Sequence, residues 1–558
     1  MKKLYTLSIT AFLVCCLSAQ DLRTWSTYYG GTGNEGSFST VIDPWGNVYI
    51  AGITMSNGMA FNGHQMTFGG GNVDAFLVKF NAAGARVWAT YYGGTGDEQT
   101  FFPGRMGLCT DAMGNVYLAG LTNSTNAIAS GGFQNMIGGG VDAYLVKFDS
   151  AGVRQWGTYY GGSQMDNGYD CAADANGNIY LCGRTGSTGL ASGGFQNTLA
   201  GQTDAFLVKF DAAGNRLWAT YYGGTAIEEG FTVACDDSLN VIIGGCTGST
   251  ASIASGGFQN TYGGGASDAF IAKFDAGGSR IWATYYGGTA GEWYMQTSDM
   301  EMVCGANGEV YVSGYTESSN GIAFMGAQNT FGGGTNDAFL LKMDGAGNRV
   351  WSTYYGGSGD EIGHGVALDS AGNVFLSGKT TSASGISLGG FQVSYGGSTD
   401  GFLVKFNEQG TRLCATYFGG NDFDSLEECA VGEDGTIYCS GNTATQTGIT
   451  FNGFQNTFGG GSSDAYLVKF TPCNDLLSID PAPAQNVALY PNPTAGVLIC
   501  ETSTENSLIE IRNAVGQAVL QATFDFRFES DLSEFSSGMY NCTISSGEQR
   551  INKVLILE

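Results

Sequence analysis

"WATYYGGTGDE", residues 88–98, sets an aromatic pair and a glycine pair ahead of two acids. The phrase returns along the chain. A tyrosine pair, or its Tyr-Phe variant, begins at Tyr28, Tyr91, Tyr159, Tyr221, Tyr285, Tyr354 and Tyr417, about 64 residues apart. A second phrase, "DAFLVKF" or a close variant, begins at Asp74, Asp142, Asp204, Asp268, Asp337, Asp400 and Asp464. Between them stands "D-x-x-G-N-V-Y-x-x-G", as at Asp43–Gly52 and Asp369–Gly378. There an Asp and a Gly supply a tight turn between two strands.

Each unit therefore offers four strands, a to d, with tight a-b and c-d turns and long b-c and d-a connections. In the second unit they fall near 106–111, 115–120, 142–148 and 154–160. A four-stranded sheet of this size cannot bury both faces alone, so the units must pack on one another, and radial closure removes the exposed ends. The chain opens with a d strand, "RTWSTYY" at 23–29, and the repeats end with a c strand, "DAYLVKF" at 464–470. Setting the first beside the last completes a seventh unit. The expected fold is all-β: a seven-bladed β-propeller over 21–470, closed by its N-terminal strand. Composition agrees, since 91 glycines, 7 prolines and 13% aromatics suit many short strands joined by turns.

Units such as "WSTYYGGSGDEIGHGVALDSAGNVFLSGKT" at 351–380 resemble the bacterial seven-bladed β-propeller repeat proteins. That resemblance implies a fold and little about activity. After a polar, proline-bearing linker at 471–486, the phrases "LYPNPTAG" (489–496), "NAVGQAV" (513–519), "DLSEFSSGMY" (531–540) and "INKVLILE" at the terminus resemble the type A sorting domain of the type IX secretion system. The resemblance implies a small β-sandwich at 487–558, recognised by that secretion machinery at the outer membrane. Residues 1–20, with Lys2 and Lys3 before an apolar run, have the anatomy of a cleavable signal peptide. Passage through the periplasm to the outside or the outer cell surface is expected.

The formal charge of −27 opposes nucleic acid and anionic membranes as partners. Beyond the leader no apolar run is long enough to span a bilayer. Of fourteen cysteines, Cys15 and Cys16 lie in the leader, and the rest are too dilute for a disulfide scaffold, although Cys171 and Cys182 could face each other across one hairpin.

One carboxylate per unit stands six residues past the second aromatic: Glu35, Glu98, Asp166, Glu228, Glu292, Glu361 and Asp424. Two readings compete. In one, each caps backbone N–H groups of a glycine-rich loop; in the other, the seven form a negative funnel that gathers cations. The c-strand lysines and d-strand arginines are expected to pair with acids of the same or neighbouring unit. A specific ligand needs asymmetry, and two units carry longer d-a connections, at 95–107 and 289–300. These hold Phe101 with Phe102 and Trp293 with Tyr294 beside acids, a combination suited to a sugar surface; the competing reading is a plug over the channel mouth.

"NDFDSLEE" at 421–428 is acidic but lacks EF-hand spacing. The two histidines differ in role: His64 replaces a phenylalanine of other units, which suggests packing, and His364 begins an a strand that could face the channel. No catalytic residue, metal or cofactor is assigned. The expected function is binding or adhesion toward a polysaccharide or cell-surface ligand. The alternatives are a hydrolase or lyase using carboxylates on the loop-rich face, and a purely structural surface component.

Overall fold

The computed structural model describes residues 23–99, 105–292, 300–471, 488–490, 497–501, 507–513, 517–525, 527–546 and 549–557. The expected leader, and all but the first residue of the expected linker, lie outside them. Two compact units divide the chain, 1–473 and 474–558.

The larger unit is built of four-stranded antiparallel sheets, seven in number. The first comprises Glu35–Ile42, Val48–Thr54, Asp74–Phe80 and Arg86–Tyr92 in that order. The second, Gly107–Thr110, Val116–Thr122, Asp142–Phe148 and Arg154–Tyr160, falls within two residues of the expected bounds. Six sheets are continuous in sequence. The seventh takes Asp424–Val431, Ile437–Thr443 and Asp464–Phe470 from one end and Arg23–Tyr29 from the other. Arg23–Tyr29 pairs antiparallel with Asp464–Phe470, Tyr28 opposite Tyr466.

Local chemistry fixes each hairpin. In the first a-b turn the Asp43 carboxylate accepts the backbone N–H groups of Trp45 (3.0 Å) and Asn47 (2.9 Å), and Gly46 takes φ +78°, a conformation that favours glycine. Lys79 of strand c holds the same carboxylate at 3.1 Å. The contact repeats as Lys147–Asp111, Lys209–Asp174, Lys273–Asp236 and Lys405–Asp369. The lysines thus pair within their own sheet, as expected. The arginines behave differently: Arg216 stacks over Phe133, Arg280 over Phe195 and Arg86 over Phe454, each ring coming from the preceding sheet. A guanidinium lies flat on a ring more readily than an ammonium does. His64 occupies the corresponding ring position of the first sheet and packs edge-on to Phe148 of the second at 6.1 Å, the packing role expected of it.

Neighbouring sheets share their cores. One cluster joins Leu77 and Trp88 of the first sheet to Leu118 and Tyr144 of the second, and another joins Trp25 and Leu467 of the seventh to Ile50 and Phe76 of the first. The d-strand indoles reach across: Trp25 Nε1 donates to the Ala82 carbonyl, Trp88 to Ser150, Trp156 to Ala212 and Trp218 to Ala276, each in the c-d turn of the next sheet. The turn glycine leaves room for the ring, since a Cβ on Gly84 would come within 3.0 Å of Trp25. The seventh sheet has no c-d turn, its c and d strands coming from opposite ends, and the sixth sheet carries Cys414 where the other six carry tryptophan. Cys414 is disulfide-bonded. Cys171 and Cys182 are free and buried, and the register sets Cys182 opposite Asp170 instead.

The smaller unit has two sheets, Ala488–Tyr490/Val497–Glu501/Arg527–Asp531 and Ala518–Phe524/Ser507–Arg512/Gly538–Ser546/Gln549–Leu557. Leu498 and Cys500 of the first sheet and Ile509, Ile511, Cys542 and Ile544 of the second bury into one cluster. No helix among the described residues is long and apolar enough to cross a membrane.

Removing residues 23–29 strips Asp464–Phe470 of its ladder partner. The melting temperature should fall by on the order of 10 °C or more, and a peptide of sequence RTWSTYY should recover part of the loss in differential scanning calorimetry.

Candidate functional site

Passage from one sheet to the next uses the same residues each time. At the first crossing the Tyr91 hydroxyl donates to the Ser56 carbonyl of its own sheet (2.8 Å), while the Tyr92 hydroxyl donates to the Ile128 carbonyl of the next (2.5 Å). One ring of the pair ties inward and the other ties forward. The acid then closes the crossing. Glu98 accepts the Thr122 hydroxyl at 2.7 Å and the Gly94 N–H at 3.2 Å. Glu35, Glu228, Glu361 and Asp424 repeat both contacts, through Thr54 with Gly31, Thr247 with Gly224, Thr380 with Gly357 and Thr443 with Gly420. Asp166 does so through Thr185 and Gly162, and Glu292 accepts Thr316 at 2.9 Å.

All seven acids are at most 1% exposed. They form no open funnel, because each is consumed in tying its own crossing; the capping reading describes their geometry. The recurrent threonine is the partner of the acid. A glutamine also recurs once per unit; its Oε1 accepts the N–H of the first glycine of the pair, as Gln196 does from Gly223 at 3.1 Å, and in five units its amide donates to the c-strand Asp, as Gln196 does to Asp204 at 2.7 Å.

A second carboxyl faces each of them. The c-strand Asp of the preceding sheet meets the acid over the first glycine of the pair: a Cβ on Gly93 would lie 2.3 Å from Glu98 Oε2 and 2.6 Å from Asp74 Oδ1. Only glycine fits there. The same convergence holds at Gly223, Gly287, Gly356 and Gly419. Burial pushes the acids up, Glu98 and Glu292 to about 8, Asp337 and Asp464 to about 7, Asp74 and Asp268 to about 6; the facing carboxylate adds to the rise at Glu98, Glu292, Asp337 and Asp464, whereas at Asp74 and Asp268 the facing glutamate lowers it through a hydrogen bond. Two carboxyl groups so placed titrate as a pair rather than singly.

The asymmetric chemistry lies where the a strands converge. Five of these strands carry a β-bulge at one position, after Ser37, Gly168, Gly230, Gly363 and Leu426, which re-aims a side chain. Three of the five bulge positions carry aromatics (Phe38, Tyr169, Phe231), and the other two carry His364 and Glu427. Tyr169 and Phe231 pack with centroids 5.9 Å apart, and His364 Nδ1 lies 3.4 Å from Glu427 Oε2. Phe38, Tyr169, His364 and Glu427 border a cavity of about 40 Å³ shared by Arg105, Asp170, Glu301 and Glu428.

Arg105 Nη2 meets Glu301 Oε2 at 2.7 Å, and Thr232 donates to Glu301 Oε1 (2.8 Å) and Asp170 Oδ2 (3.2 Å). Burial, with the nearby Glu301 carboxylate, holds Asp170 and Glu428 protonated well above the usual carboxylate range. The volume admits water-sized species and no sugar ring. Among the described residues no group of three His, Cys, Asp or Glu is placed to hold a metal. Sequence reading noted His364 and the acidic run at 421–428 separately. The signal that joins them is the residue three past the acid, aromatic in the first, third and fourth units and His364 or Glu427 in the sixth and seventh.

Phe101, Phe102, Trp293 and Tyr294 lie outside the described residues. Their insertions leave a mark on either side. Strand a shrinks to four residues in the second and fifth sheets, Gly107–Thr110 and Glu301–Cys304, against eight in the others.

Comparison with known families follows the two units. The Beta-propeller repeat family matches residues 155–191 and 350–385, and the Secretion system C-terminal sorting domain family matches 488–558. The chain carries beta-propeller repeats and ends in a type IX sorting domain. That sorting domain marks it for secretion to the cell surface or the extracellular space, and implies contact with the secretion machinery. Regulatory protein FlaEY of Caulobacter vibrioides is 26% identical over 403 residues, covering 67% of this chain and 38% of that protein. The chain spans well under half of that relative. Among solved structures, a polysaccharide lyase, an ulvan lyase bound to a GlcA-Rha3S saccharide, is similar at 11% identity and a TM-score of 0.41, over 75% of this chain and 93% of the other. PorZ of Porphyromonas gingivalis, a surface component of the type IX secretion system, is similar at 12% identity and a TM-score of 0.27, over 94% and 70%.

The acid pairs make stability depend on pH with a definite sign. A carboxyl whose folded pKa is raised favours its neutral form, so its contribution is full below the unfolded value near 4 and is lost as pH rises through the folded values of about 6 to 8. The melting temperature should therefore decline from pH 5 to pH 8.5, and Glu98→Gln combined with Glu292→Gln should flatten the upper part of that decline in calorimetric scans.

Proposed function

We propose that the seven sheets are the blades of one propeller spanning 21–470, closed by strand 23–29, and that the chain is exported with a leader at 1–20 and a linker at 471–486 before the tail at 487–558. The propeller acts outside the cell or on its surface as a binding and adhesion module for polysaccharide or other cell-surface ligands. The observation that carries this reading is the contact of Arg105 with Glu301 and with the Met300 carbonyl. It joins Arg105, near the end of the first insertion, to Met300 and Glu301 at the end of the second. The two insertions are also the segments whose sequence combines aromatic rings with carboxylates, a combination that suits a pyranose, whose apolar face stacks while its hydroxyls donate. The seven crossing acids serve as the frame that holds the insertions and do not touch the ligand.

One observation favours a second reading. Asp170, held protonated, shares a small cavity with Glu301, the pairing of carboxyl roles that glycosidic cleavage uses. The cavity's size opposes it, since a scissile bond must enter.

Incubation with a panel of polysaccharides separates the two. Retention without new reducing ends is expected; new reducing ends would establish cleavage, and neither would leave a structural component. Trp293→Ala and Phe102→Ala should each lower retention by roughly fivefold or more at an unchanged melting temperature. A large loss of stability instead would identify the insertions as a plug.

A further inference from the structure

The a strands run from the crossings to the a-b turns, so the a-b turns gather at the opposite end of the sheets. There the turns of the seventh, first and second sheets border an open pocket of about 590 Å³, within the range that small-molecule sites occupy. Its wall carries Trp45, which is 61% exposed, while Trp25, Trp88, Trp156, Trp218, Trp282 and Trp351 are each 6% exposed or less. The equivalent turn position holds Met113, Asn176, Ser238, Asn307, Ala371 or Asp434 in the other sheets. Nothing in the repeat requires an indole at this place.

The ring is also fixed. Its backbone N–H donates to Asp43, which Lys79 anchors to strand c. The indole rests on Gly114 of the neighbouring turn so closely that a Cβ there would come 1.7 Å from Cζ3. A ring held in one orientation with its remaining surface in water costs little entropy to engage, which is how a preorganised platform binds.

The polar groups decide what it engages. Asp43 and Asp111 are matched by Lys79 and Lys147, and Asp434 accepts the Thr436 N–H with Lys469 nearby. Little unmatched charge remains to draw a polycation, and a chain of net charge −27 repels a polyanion. What the walls retain is acceptor capacity on the carboxylates of Glu433 and Asp434, which line the same pocket as Trp45.

We propose that this pocket is a saccharide site for a neutral hexose unit within an oligosaccharide, its apolar face stacked on Trp45 and its hydroxyls donating to Glu433 and Asp434. It lies at the other end of the sheets from the two insertions and stands independently of them. The test titrates the full chain with cellohexaose, laminarihexaose and mannohexaose, read by calorimetry and by the tryptophan emission difference between wild type and Trp45→Phe. At least one hexamer should bind and shift the Trp45 emission to shorter wavelength. Trp45→Ala should weaken it roughly tenfold with no change in melting temperature, Glu433→Gln with Asp434→Asn should weaken it further, and Trp293→Ala should leave it unaltered. The proposal is overturned if none of the three hexamers binds, if Trp45→Ala binds as tightly as wild type, or if alginate hexamer or hexalysine displaces the neutral sugar at lower concentration.

Discussion

Two carboxyl groups buried face to face over a glycine, one from each of two successive sheets, are the constraint on which the larger unit is organised. Burying carboxyls is costly unless hydrogen bonds or protonation compensate, and here both contribute. The surrounding loop supplies N–H groups and hydroxyls, and little else in these glycine-rich connections offers an acceptor. Given that centre, the neighbouring residues follow. The first glycine must lack a side chain, the threonine must close strand b, and the two tyrosines must reach in opposite directions so that one sheet is fastened to itself and to its successor.

Much of this was legible in the sequence because it recurs. A residue that returns at every period must serve the period, so the strands, their order, the a-b turn chemistry and the lysine pairs followed from spacing alone. The pairing of Arg23–Tyr29 with Asp464–Phe470 was legible too, as an offset between where the repeats start and stop. The arginines were misread because a cation suggests an acid, whereas the nearest surface at the outer edge of strand d is a phenyl ring such as Phe133 or Phe195. The facing Asp of strand c was missed as a partner since it belongs to the preceding sheet and stands some twenty residues away.

The residues that distinguish one sheet from another were harder to place. Strand alternation predicts which face a side chain takes, but a bulge adds a residue and breaks the count, so His364 and Glu427 could not be brought together from their own segments. Trp45 stands at a variable position of the D-x-x-G-N turn. Its exposure depends on Gly114 in the next unit, a contact that no pattern within the first unit contains. Sevenfold residues thus build the frame, and single departures at its two ends carry the chemistry.

The seventh sheet, assembled from both ends, has a consequence for biosynthesis. The first strand to leave the ribosome is the last to find its neighbour, after a wait of roughly 20 to 90 s at ordinary elongation rates. Throughout that interval Trp25–Tyr29 is an unsatisfied edge, and an edge accepts whatever strand arrives first. Where two chains fold side by side the nearest complement is the 464–470 segment of the sister chain, so exchange of this one strand between copies is the misassembly to which the architecture is most prone.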